Sequence, residues 1–216
     1  MTSMVGGIPF HEFLIVHAAP IEGYGLEDLG VQSIGVGKVA SAVHCAELIR
    51  SRENVRAVLL FGVAGAFPAR HRDSEAPVGI SDLVVVSHDQ LGDEGVATPD
   101  GFLDLGAMQL GDCGPFAADP RMARDAVARL AAPLVHGVTV SSCSGTDASS
   151  QIMRQRSGAD IETMEGAAVA FVCRQLEVPL LHVRAISNWT GDRDCGEWSL
   201  GSAVDVVQAA VRGLMQ

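Results

Sequence analysis

The segment Glu162-Thr163-Met164-Glu165-Gly166-Ala167-Ala168-Val169-Ala170 opens with two carboxylates three residues apart and continues in small apolar residues. At the start of a helix, negative charge is stabilised by the unpaired N–H groups of the first turn, so an N-terminal charge pair accounts for both residues without any function. A chemical reading stands beside it. The small residues let this helix pack closely and hold Glu165 at the edge of the core. A carboxylate there offers only acceptors, the complement of two vicinal ribose hydroxyls. A second candidate is Arg184-Ala185-Ile186-Ser187-Asn188-Trp189-Thr190-Gly191-Asp192-Arg193-Asp194. An apolar run that ends in Ser187-Asn188 and a Trp-containing polar loop sets an amide at a crevice mouth, or simply makes a turn.

Other motifs fail on their own chemistry. Gly35-Val36-Gly37-Lys38-Val39-Ala40 fits a permissive dinucleotide fingerprint. The acidic residue required after the next strand is missing, because that segment reads Leu60-Phe61-Gly62-Val63, and the motif follows the second strand instead of the first. A Walker loop fails too, with Gln32 in place of its first glycine and Val39 after Lys38. What remains is a glycine turn at a helix N-terminus, able to approach an anion or sugar or merely to turn a tight corner. His11-Glu12 with His17 has the wrong spacing for a zinc-binding helix face, so no metal site is expected. Ser141-Ser142-Cys143-Ser144-Gly145 lacks the first glycine of a nucleophile elbow. The cysteines, Cys45, Cys113, Cys143, Cys173 and Cys195, are widely spaced and read as buried reduced thiols. No cofactor is expected.

The elements that must position these residues are legible as alternating patterns. Short aliphatic runs predict strands at Phe13–His17, Val31–Gly35, Ala57–Val63, Asp82–Ser87, Leu134–Val140 and Leu180–Ile186. Helices are predicted over Val39–Arg50, Pro120–Leu130, Ser149–Arg156, Thr163–Leu176 and Leu200–Met215, the last with Leu200, Val204, Val207, Val211 and Leu214 on one stripe. Strands that are apolar on both faces and alternate with helices imply an α/β fold, a central mixed and largely parallel sheet flanked by helices. With no linker or repeat visible, residues 1–216 are expected to form one domain. Segments 68–78 and 91–115 read as irregular loops, either functional or simple insertions. In such sheets ligands bind at the carboxyl ends of the strands.

Composition removes whole classes of function. The chain has 216 residues, 48% hydrophobic and 19% charged, with a net charge of −11 and a single lysine, Lys38. It therefore lacks the basic footprint that nucleic-acid binding needs. Its longest apolar or glycine run, Ala57 to Phe67, is well short of the ~20 residues of a membrane span. Without a basic and apolar leader at residues 1–12, a cytoplasmic location is expected.

Taken in order, five short pieces resemble the nucleoside phosphorylase and nucleosidase family over nearly the full length. They are Ala18-Ala19-Pro20-Ile21-Glu22, Gly35-Val36-Gly37-Lys38, Gly62-Val63-Ala64-Gly65, Met164-Glu165-Gly166-Ala167-Ala168 and Arg184-Ala185-Ile186-Ser187-Asn188. The resemblance is to the branch holding methylthioadenosine/adenosylhomocysteine nucleosidase and futalosine hydrolase. Gly191-Asp192-Arg193-Asp194 and Trp198 match the latter. It implies hydrolysis of the N-glycosidic bond of futalosine, with Glu22 as the base that activates water and Glu165 holding the ribose. Met164 is implied beneath the sugar, while Ala64, Gly65 and Ser187 line the pocket. Adenine-cleaving relatives carry aspartate where this chain has Asn188. An amide donates to O6 of a 6-oxopurine, whereas a carboxylate would face it acceptor to acceptor. The C5′ carboxyphenyl tail calls for a cation, with Arg193, Arg70, His71 and Arg72 as candidates. The resemblance also implies a homo-oligomer, at least a dimer. The alternatives are methylthioadenosine nucleosidase and a 6-oxopurine nucleoside phosphorylase.

Overall fold

The computed structural model describes residues 3–68, 78–192 and 198–216. Its strands are β1 (Met4–Val5), β2 (Ile8–Pro9), β3 (Phe13–His17), β4 (Gln32–Ser33), β5 (Ala57–Ala66), β6 (Leu83–Leu91), β7 (Gly95–Thr98), β8 (Gly101–Asp104), β9 (Phe116–Ala117), β10 (Leu134–Thr139), β11 (Ile161–Thr163) and β12 (Leu180–Trp189). The helices are α1 (Pro20–Gly23), α2 (Lys38–Arg50), α3 (Pro120–Leu130), α4 (Asp147–Ser157), α5 (Gly166–Gln175) and α6 (Leu200–Leu214).

The main sheet runs β11-β10-β6-β12-β5-β3-β4, with β9 added to β6. Pairs β3–β4, β3–β5, β5–β12, β6–β10 and β10–β11 are parallel, and β6–β12, β6–β9 and β5–β11 are antiparallel. Because β11 bonds to both β10 and β5, the strands β5, β12, β6, β10 and β11 close into a ring. Two apolar clusters cover the sheet. One packs Phe61, Leu59 and Leu181 against Val207 and Val211 of α6 and Met122 of α3. The other packs Leu14, Leu60 and Val58 against Cys45 of α2 and Val169 of α5. Strands buried on both faces must be aliphatic throughout, and this is where the hydrophobic excess goes.

This is the expected α/β fold with a mixed, largely parallel sheet, and four local expectations need correction. The helix predicted from Thr163 begins at Gly166, because residues 161–163 are drawn into the closing strand β11. Glu162 and Glu165 therefore do not share a helical turn. The strand predicted over Val31–Gly35 shrinks to Gln32–Ser33, since the glycine turn follows at once. The strand expected over Asp82–Ser87 extends to Leu91. Segment 91–115, read as irregular, contains the hairpin β7–β8. Segment 68–78 falls almost entirely outside the described residues.

Candidate functional site

The carboxyl ends of β3, β5 and β12 meet the descending strand β11 around one cavity of about 240 Å³. Glu22, Ala64, Gly65, Met164, Glu165, Ser187 and Asn188 all line it, so the sequence-predicted residues that the structure describes converge. Arg193, Arg70, His71 and Arg72 lie outside the described residues.

Glu22 sits in α1, a four-residue turn with Pro20 at its first position. Its Oε2 accepts from the N–H groups of Ala18 (3.0 Å) and Ala19 (2.8 Å), and Oε1 from that of Val63 (2.9 Å). A carboxylate has about four lone-pair sites. Three are filled by backbone donors, so one on Oε1 remains for a proton. A Cβ on Gly62 would lie 2.5 Å from this oxygen and 2.6 Å from Arg184 Nη1, which is why the strand has glycine there.

Glu165 is the N-cap residue of α5, yet its side chain does not cap the helix. The first N–H groups of α5 are taken instead by two threonines: Gly166 donates to Thr163 Oγ1 (3.2 Å) and Ala167 to Thr139 Oγ1 (2.7 Å). Thr139 Oγ1 donates in turn to Asp89 Oδ1 (2.9 Å). This frees the Glu165 carboxylate to enter the cavity, where Oε1 accepts from Gly37 N–H (3.0 Å) and Oε2 lies 3.6 Å from Arg184 Nη2. The glycine turn singled out from sequence therefore holds a side-chain anion. Burial pushes the Glu165 carboxyl above its usual range, and the Arg184 charge and the Gly37 N–H oppose that.

Arg184 is the functional-site residue that sequence reasoning passed over. The available signal was an arginine inside an otherwise apolar strand. It is only 1% exposed, and its Nη2 has no hydrogen-bond partner among the described residues. Its Nε donates to His182 Nε2 (2.8 Å), so the imidazole must carry its proton on Nδ1. Burial and the adjacent guanidinium hold His182 well below the ordinary imidazole range. Asp89, buried beneath α5, is pushed up to about 7 by desolvation, against the pull of Thr139 and Arg184.

Asn188 forms the opposite wall. Its Nδ2 donates to the Trp189 carbonyl (2.9 Å), an acceptor only, which fixes the amide's orientation. Ser187 Oγ donates to Asn188 Oδ1 (2.8 Å). One amide N–H and one carbonyl lone pair remain for a ligand. Beyond the glycine turn, Lys38 Nζ lies 2.6 Å from Asp93 and 3.0 Å from Glu94, so its charge is doubly countered.

The arrangement can place a proton acceptor, a hydroxyl-binding carboxylate and an amide around one small polar heterocycle-bearing molecule. Among the described residues no cluster of three or more His, Cys, Asp or Glu is arranged to hold a metal ion, and no helix is long and apolar enough to cross a membrane.

A model of the phosphorylase superfamily matches residues 24–215. The futalosine hydrolase of Thermus thermophilus is 33% identical over 186 residues, spanning 84% of this chain and 78% of that protein. The futalosine hydrolase of Streptomyces coelicolor is 35% identical over 157 residues, spanning 71% of this chain and 63% of that one. In fold, a methylthioadenosine/adenosylhomocysteine nucleosidase from Neisseria meningitidis superposes with a TM-score of 0.76 at 20% identity, covering 94% of this chain and 97% of that one. A futalosine hydrolase of Helicobacter pylori gives 0.76 at 18%, with 94% and 96% covered.

Proposed function

The chain belongs to the phosphorylase superfamily, and from that premise we propose that it hydrolyses the N-glycosidic bond of futalosine, releasing hypoxanthine and dehypoxanthine futalosine in menaquinone synthesis. The observation that carries this reading is the placing of the Asn188 amide on the same cavity as the Glu22 and Glu165 carboxylates.

In this reading Glu165 accepts from the two ribose hydroxyls, held by Gly37 N–H and kept anionic by Arg184. Met164 packs beneath the sugar, and Ala64, Gly65 and Ser187 shape the pocket. As the C1′–N9 bond breaks, positive charge builds on the sugar and the electron pair moves into the base. Asn188 steadies the base with its free N–H. Glu22 uses its remaining Oε1 lone pair to take a proton from water as the water oxygen bonds to C1′. The leaving base takes a proton from solvent water and Glu22 returns its own to solvent, so the sum is nucleoside plus water giving free base and free sugar.

Water as the nucleophile is supported by Lys38. A phosphorylase has to attract phosphate, and the chain's only lysine is already engaged by Asp93 and Glu94. Asn188 fits a 6-oxopurine because its free N–H can donate to O6, which a carboxylate would face acceptor to acceptor. An amide also pairs with adenine's N7 and 6-amino group, so the preference for futalosine is drawn from the futalosine hydrolases among the relatives. The protein acts in the cytoplasm as at least a homodimer. Support for the second copy comes from Val36, Val39 and Val43, which are half-exposed or more on the turn and helix that carry Gly37. Arg193 is the proposed partner of the tail carboxylate.

The test is release of free base from futalosine, inosine and methylthioadenosine, each without and with phosphate. Rapid, phosphate-independent release of hypoxanthine from futalosine is expected. Cleavage of methylthioadenosine with futalosine untouched would overturn the reading, and a strict phosphate requirement would make the protein a phosphorylase.

A further inference from the structure

We infer that Glu162 is a second specificity-determining residue, accepting the N1–H of a 6-oxopurine from the side of the ring opposite Asn188. The inference deepens the proposed function and rests on it for the identity of the nucleoside.

The geometry comes from strand register. Glu162 of β11 and Asn188 of β12 are both direct partners of Gly65, which lies between them on β5. Directly paired residues project from the same face of a sheet. A Cβ on Gly65 would lie 3.2 Å from Asn188 Nδ2, which confirms the shared face on that side, and the missing side chain leaves a flat floor. Two strand spacings, roughly 10 Å, separate the carboxylate-bearing and amide-bearing backbones across that floor. Both side chains line the cavity, and Glu162 is only 4% exposed.

The Glu162 carboxylate is built for this position and has capacity to spare. Oε1 accepts from Ser144 N–H (2.8 Å) and Oε2 from Ser144 O–H (2.6 Å). Two donors leave a lone pair on each oxygen. Among the described residues no cation lies within ion-pair distance of Glu162, so a buried anion is held by neutral donors alone. A further N–H from a ligand offsets part of that desolvation cost. Hypoxanthine carries hydrogen on N1, while adenine presents a lone pair there. Glu162 therefore attracts the first and repels the second, through an atom that Asn188 does not touch.

Glu165 lies past the end of β11, beyond the bend at Met164, and its Oε2 approaches Arg184, whose partner on β5 is Gly62, three positions before Gly65. Glu162 at the level of Gly65 reads the base, and Glu165 beside Arg184 meets the sugar.

The experiment measures binding of free hypoxanthine, 1-methylhypoxanthine and adenine to the full chain by calorimetry, for wild type and for Glu162→Ala, alongside futalosine cleavage. Wild type is expected to prefer hypoxanthine over both other bases by about 10- to 100-fold. Glu162→Ala is expected to lose most of that preference while adenine binding holds or improves. Equal binding of the three bases by wild type overturns the inference even if the variant fails to fold, and so does a preference that survives unchanged in Glu162→Ala. If wild type discriminates at N1 yet leaves futalosine intact, the nucleoside assignment falls and the role of Glu162 stands. If futalosine is cleaved without discrimination at N1, the reverse holds.

Discussion

Arg184 Nη2 lies 3.6 Å from Glu165 Oε2, and the two side chains are among the most completely buried charges in the molecule. Each ion offsets part of the other's desolvation cost. Removing one partner of a buried pair typically costs about 3–5 kcal/mol. Arg184→Met should therefore destabilise the protein by an amount of that order. It should also raise the Glu165 carboxyl further, because the opposing charge is gone. In the proposed reading ribose binding needs the carboxylate, so activity is expected to fall as pH drops through the Glu165 titration. The acid limb of kcat/KM should move to higher pH in the variant, and an unmoved limb would show that the pair does not set the charge of Glu165.

Glu22 is fixed by three backbone N–H groups that an amide could not all satisfy. Glu22→Gln should lower kcat by about 10²–10⁴ with a small change in KM, as expected for a lost general base. Steady-state kinetics on futalosine checks this, and wild-type turnover in the variant would remove Glu22 from the mechanism.

Asp89 gives a pH signature of stability. Its carboxyl is raised from 3.8 to about 7 by burial. Between those values the folded chain retains a proton that the unfolded chain has released, so stability falls as pH rises through this window and levels off above it. At about 1.36 kcal/mol per unit the loss is on the order of 4 kcal/mol at most. Asp89→Asn removes the titration. The stability of the variant relative to wild type should climb from pH 4 to pH 7, read as urea unfolding midpoints. Parallel profiles would contradict the assignment.

Gly62→Ala inserts a methyl between Glu22 and Arg184 where no space exists. A misplacement of about 1 Å at reacting groups can cost 10²-fold in rate, so a loss of roughly that size in kcat/KM is expected. Gly201→Ala, which meets no atom within 4 Å, is the matched control and should leave kinetics unchanged.

The sequence made the sheet, the amphipathic α6 and the cluster of Glu22, Glu165 and Asn188 legible for different reasons. Aliphatic runs and the Val204, Val207, Val211 stripe are local signals of burial, and the site residues came from motifs matched to a family. What stayed hidden depends on long-range pairing. Residues 161–163 have no strand signal of their own and are extended because β10 and β5 both bond to them. That pairing turns Glu162 from a helix-start charge into a cavity residue. Arg184 was hidden by its setting, an apolar strand in which a charge reads as an exception until its partner Glu165 is located. The hairpin β7–β8 has a local signal, Thr98-Pro99-Asp100-Gly101, a Pro-Asp-Gly turn masked by the other glycines and aspartates of segment 91–115.

The double pairing of β11 also bears on how so apolar a sheet avoids presenting open edges. An exposed strand edge is a template on which other chains can add, and aliphatic edges are the most hazardous. Here the longest aliphatic strands, β5, β6 and β12, are enclosed within a ring that closes on itself. The sheet's outer strand, β4, is two residues long, and β9 on the flank of β6 is no longer. By bonding on both sides, a three-residue strand beside the candidate cavity gives the fold its protection against edge-to-edge aggregation.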